Sequence, residues 1–109
     1  MSYDIKIIKR HEIHDYNYTS NIYEMFAAAT KRIGSNPEFK SLKHFDDMSC
    51  SFAASILKDI IIEMRSDPEY YQTFNPDNGW GIYSTFLQFL EKLYQDCMDH
   101  PDCDIEVNW

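Results

Sequence analysis

The chain has 109 residues, 44% of them hydrophobic and 16% aromatic, enough for one domain with one core and far from a disordered composition. Its formal charge is −8, and the charge is uneven: residues 1–45 carry seven Lys/Arg against five acids (+2), residues 46–109 three against thirteen (−10). So acidic a half repels phosphate, which argues against nucleic-acid binding; it is compatible with a basic protein partner and equally with a surface that serves only solubility.

In chain order, Tyr3-Asp4-Ile5-Lys6-Ile7 alternates as a strand does, with Tyr3, Ile5 and Ile7 on one face. Residues 10–18 are polar and read as a loop. Asn21 and Glu24 have the spacing of a capping box, opening a helix to about Arg32 whose inward stripe is Ile22, Phe26, Ala29 and Ile33. Gly34 stands where a left-handed residue ends a helix, with Lys31 and Arg32 in the last turn, where the dipole favours cations. Asn36-Pro37-Glu38 suggests a further short turn, and residues 41–48 a connector.

Ser49 is a candidate N-cap for a helix to about Arg65. Its apolar positions Phe52, Ala53, Ile56, Leu57, Ile60, Ile61 and Met64 recur at three- and four-residue steps. Asp67-Pro68-Glu69 starts a short helix through Phe74. The run Asn75-Pro76-Asp77-Asn78-Gly79-Trp80-Gly81 is a constrained loop: Pro76 sets its own φ, and Gly79 can take a positive one. It holds Trp80 in place, either plugging the core or offered as a contact. The strongest helix follows, about Ile82 to Asp99, with Ile82, Phe86, Leu90, Leu93 and Cys97 inward and Pro101 beyond its end. Residues 103–109 alternate again, with Cys103, Ile105, Val107 and Trp109 on one face. Terminal strands cannot be stable alone and most simply pair with each other. The expected fold is α+β: three main helices packed on a small two-stranded antiparallel sheet formed by the N- and C-terminal strands, in a single domain.

Three cysteines, Cys50, Cys97 and Cys103, make an odd count without framework spacing, which points to a reducing compartment. With no apolar leader after Met1 and no run near the ~20 residues of a membrane span, a cytoplasmic location off the membrane is expected. Cys97, His100 and Cys103 could in principle hold zinc, but a closed site needs a fourth ligand and only Cys50 remains. Cys97 as a core thiol and His100 at a helix C-terminus is the simpler reading, so no metal is expected. His11 and His14 beside Glu12 and Asp15 are raw material for acid–base chemistry, yet no nucleophile stands at recognisable spacing; solvated loop histidines are expected. Three glycines leave no phosphate loop, and no cofactor or catalytic residue is assigned.

Asn17-x-Thr19-x-Asn21-x-x-x-Met25-Phe26 resembles a signature of small bacterial and bacteriophage-encoded proteins with no established activity. So does Asn75-Pro76-x-Asn78-Gly79-Trp80-Gly81, followed by a leucine-rich helix and by Cys97 four residues before Pro101. The resemblance implies that Asn17, Thr19, Asn21 and the Trp80 loop share one surface.

The aromatic surplus, with Tyr16, Tyr18, Tyr70 and Tyr71 near element ends, suits either an interface or coverage of the edges of a small core, each hydroxyl in water. The function expected is a non-enzymatic interaction or regulatory protein binding a protein partner through an acidic, aromatic-rich surface that includes Asn17, Thr19, Asn21, Tyr23, Asn78, Trp80 and Tyr83. The alternative is a small-ligand domain centred on the Asn75–Gly81 loop and the Asn17–Asn21 segment. A terminal strand with an open edge further suggests a homodimer.

Overall fold

Alternation of apolar and polar residues at the two ends of the chain builds the sheet. The computed structural model describes residues 2–8, 12–19, 22–34, 41–79 and 81–108, residues 2 and 12–19 by their backbone. β1 (Ser2–Ile8) buries Tyr3, Ile5 and Ile7, with Asp4 exposed between them. β3 (Asp104–Asn108) buries Ile105 and Val107, and Cys103 is buried just before it. The two strands are antiparallel with Ile5 opposite Val107 and Ile7 opposite Ile105, so their β-branched side chains meet on the core face. The α+β architecture with paired terminal strands is thus the one the chain adopts.

The sheet has a third strand, β2 (Glu12–Thr19), on the far side of β1, in the order β2-β1-β3. This corrects the polar loop expected over residues 10–18. Register runs from Ser2 opposite Thr19 to Ile7 opposite His14, then shifts so that Ile8 faces Glu12 and Ile13 becomes the extra residue of a bulge. An outer strand keeps one edge open and tolerates charges there, so its polarity disguises it. Tyr16 and Tyr18, at alternate positions, were the visible signal.

α1 (Tyr23–Ile33) buries Met25, Phe26, Ala29 and Thr30 and ends where Gly34, at φ 77°, donates its N–H to the Thr30 carbonyl at 3.0 Å. Ile22, itself buried, holds the cap position with no side-chain cap bond. The capping box expected at Asn21 and Glu24 lies in part, at Asn21, outside the described residues. The short turn proposed at Asn36-Pro37-Glu38 also falls outside them.

α2 (Cys50–Ser66) starts as expected, with Ser49 Oγ accepting the Phe52 N–H at 3.3 Å. Its buried face runs through Cys50, Ala53, Leu57, Ile60 and Met64. Phe52 belongs to the other side and is 58% exposed, a correction to the expected stripe. The first turn packs inward through small residues, Ala53 of the expected stripe together with Cys50 and Ala54, which a search for large apolar side chains passes over. α3 (Pro68–Gln72) has Pro68 in its first turn and Asp67 Oδ1 accepting the Tyr70 N–H at 3.4 Å; Phe74 lies just past its end. α4 (Tyr83–Asp99) packs chiefly on α2 and buries Phe86, Phe89, Leu90, Leu93 and Cys97. The Phe26 ring lies 6.3 Å from both Phe45 and Phe86, tying α1 to α4 and to the connector.

That connector has structure of its own. A 3-10 turn, Leu42–Phe45, buries Leu42 and Phe45, and Asp47 then takes φ 64°. The turn lays Asp46–Cys50 along the outer edge of β3. Asp47 N–H bonds the Ile105 carbonyl at 2.8 Å, Ile105 N–H the Met48 carbonyl at 2.9 Å, and Cys50 N–H the Cys103 carbonyl at 2.8 Å. Asp46 Oδ1 accepts the Val107 N–H at 2.9 Å. The open β3 edge on which a homodimer was expected is therefore covered from within the chain, and the outer strand is β2. Trp109 lies outside the described residues. No helix among the described residues is long and apolar enough to cross a membrane.

Candidate functional site

The outward face of α1 is low in the middle because Ala27 and Ala28 carry nothing beyond Cβ. Beside it, α3 and its following turn raise Tyr70 and Phe74. Between them lies an open groove of about 730 Å³, walled by Tyr23 on one side and by Tyr70 and Phe74 on the other. Glu24 lines the end at the first turn of α1, Lys31 and Arg32 the end at its last turn. Each charge suits the helix-dipole end it occupies.

Arg32 ties α1 to the α3 wall. Its Nη1 lies 3.0 Å from Asp67 Oδ2 and 3.3 Å from Glu63 Oε2, and its guanidinium carbon lies 3.8 Å from the centre of the Tyr70 ring. The Asp67 carboxylate serves twice, one oxygen capping α3 and the other holding Arg32. These two carboxylates hold the Arg32 proton even more firmly than usual. Tyr70 also meets Phe74 edge-on at 5.3 Å and Tyr71 at 5.0 Å, so its ring is fixed from three directions. Beneath it Tyr71 is fully buried, its hydroxyl donating to Glu63 Oε2 at 2.8 Å. Burial first, and then the Glu63 carboxylate, push the Tyr71 phenol well above its ordinary range.

Of the residues assigned to recognition from sequence, Tyr23 is at this groove, 48% exposed. Asn17 and Thr19 are in β2, their backbones opposite Asp4 and Ser2. Asn21 and Trp80 lie outside the described residues, so the shared surface implied by the resemblance falls there too. Asn78 is exposed in the turn Pro76–Gly79, closed by the Gly79 N–H on the Pro76 carbonyl at 3.2 Å with Gly79 at φ 76°. Tyr83 is a core residue instead of a surface contact: it is buried, and its hydroxyl donates to the Met64 carbonyl at 2.8 Å. Asn75, which opens the constrained loop, spends its side chain on α4, with Oδ1 accepting the Tyr83 N–H at 2.7 Å.

The three cysteines are buried, and burial pushes the Cys50 and Cys97 thiols up, Cys97 the further. His100 ends α4, its N–H on the Asp96 carbonyl. Among the described residues no group of His, Cys, Asp and Glu is arranged to hold a metal ion. His14 is a strand residue of β2, and His11 lies outside the described residues.

Sequence reasoning missed the groove itself. In the sequence Lys31 and Arg32 carry only the mark of helix-dipole cations, and Ala27 and Ala28 carry none. Tyr70 and Tyr71, aromatics displaced from any inward stripe, were the available clue. No protein-family model matches the chain, and no curated protein or solved structure is significantly similar to it.

Proposed function

We propose that this chain is a non-enzymatic recognition module that binds a partner protein through an acidic, aromatic-rich surface. The observation that carries the reading is the groove between α1 and α3, whose Tyr70–Phe74 wall is fixed before anything binds, so that little ordering entropy is spent on that side on association. Tyrosine and phenylalanine held in this way give large contact area at small rotamer cost. The acidic half supplies the long-range part. Asp59, Glu69, Asp77, Asp99, Asp102 and Asp104 are all exposed, and one of the three cations in that half, Arg65, is paired with Glu91 at 2.6 Å. Such a field steers a basic partner toward the surface and loses reach as salt is raised.

The small-ligand alternative has less to stand on, because Asn75 in the Asn75–Gly81 loop is engaged in capping α4. The test is affinity capture on the immobilised full chain at about 50 and about 300 mM salt, beside an Ala27→Trp variant that fills the groove. A partner retained at low salt, weakened at high salt and lost by the variant is the expected result. Capture that ignores both salt and the filled groove would remove the reading.

A further inference from the structure

We infer that the groove takes an extended segment of a partner protein carrying a basic side chain, two apolar residues and then an acidic side chain. This rests on the recognition reading above and specifies the partner it selects. The groove is electrically two-ended. Glu24 and Lys31 are seven residues apart on α1, about 10 Å along the axis at 1.5 Å per residue. Both are exposed, and neither makes an ion pair among the described residues. Arg32 at the same end as Lys31 is already offset by Asp67 and Glu63, which leaves Lys31 to meet an incoming carboxylate.

The floor between the two charges is methyl groups, and the walls are rings. Aromatic-lined grooves suit polyproline-type segments, which reach the site already extended and lose little entropy on docking. Such a segment has three residues per turn and rises about 3.1 Å per residue, so residues i and i+3 share a face about 9 Å apart. That spacing matches Glu24 to Lys31, with the basic residue at the Glu24 end. The two intervening side chains turn about 120° to either side of that face, one toward Tyr23 and one toward Tyr70, and the segment's backbone passes over Ala27 and Ala28.

The experiment selects a random-sequence displayed peptide library on the full chain, then titrates the synthesised winners against wild type, Glu24→Gln, Lys31→Gln and two groove variants, Ala27→Trp and Tyr23→Ala. Tyr23 is half exposed, so its removal keeps the test intact if the tryptophan disturbs folding, which circular dichroism reports. The expected winners carry basic–apolar–apolar–acidic order, bind Glu24→Gln and Lys31→Gln about two- to five-fold more weakly, the range of exposed ion pairs, and lose binding to both groove variants. Winners blocked by the groove variants but indifferent to charge order and to both glutamine variants overturn this inference and leave the recognition reading in place. Winners that ignore the groove variants, or no enrichment at all, overturn both.

Discussion

The Tyr71 hydroxyl and the Glu63 carboxylate share one hydrogen bond of 2.8 Å beneath the groove, and the same Glu63 oxygen also faces Arg32. The buried phenol is what lets a carboxylate sit at the back of an otherwise aromatic wall. Tyr71→Phe leaves Glu63 with Arg32 but without its buried donor, and should cost about 1–2 kcal/mol in urea denaturation.

Tyr71 also sets an alkaline limit. Its folded-state pKa is raised above the ordinary value of 10.0, by burial first and by Glu63 second. A raised folded pKa contributes stability that is complete below the unfolded pKa and is lost as pH climbs beyond it, because the unfolded chain releases the proton first. Stability should therefore fall above about pH 10, and Tyr71→Phe should flatten that fall. Tyr83, shifted in the same direction by burial, keeps the slope from vanishing.

Asn75 links the constrained loop to α4 by one hydrogen bond to the Tyr83 N–H. Asn75→Ala should cost about 0.5–2 kcal/mol, the usual range for a lost helix cap, whereas Asn75→Asp keeps the acceptor and adds a charge the dipole favours. Thermal melts of the two variants should move apart, with Asp at or above wild type.

Asp46 closes the outer edge of β3 through the Val107 N–H. Asp46→Ala leaves that donor without its carboxylate and should cost about 1–3 kcal/mol. Amide exchange at Val107 should speed up more than at Ile5, its partner in β1, because the damage is on the outer side of β3.

Phe52 and Leu57 lie on one helix but in different surroundings, 58% and 0% exposed. Phe52→Ser should change stability by no more than about 0.5 kcal/mol, and Leu57→Ala should cost about 2–5 kcal/mol. Equal losses in denaturant titration would contradict this phase of α2.

The helices were legible because their signals are local. Ser49 caps α2, Pro68 opens α3, Gly34 ends α1, and the stripe from Phe86 to Cys97 marks α4. The terminal strands were legible from the alternation of Ile5, Ile7, Ile105 and Val107, which leaves few ways to bury both ends except against each other. β2 was not, because an outer strand need not alternate in hydrophobicity, and Phe52 misleads because a large apolar side chain need not face the core. The groove was the least visible. Arg32 is 31 residues from Glu63 and 35 from Asp67, and nothing in the local pattern says that they meet.

By itself the sequence determined which segments coil, which extend and how unevenly charge is spread, since period, caps and composition act over a few residues. Tertiary structure alone decided that Asp46–Cys50 would cover the edge of β3 and that Arg32 would brace Tyr70. Those arrangements come from backbone and side-chain groups brought together across the fold, and a hydrogen bond or a stacked ring is specified by position in space, not by distance along the chain.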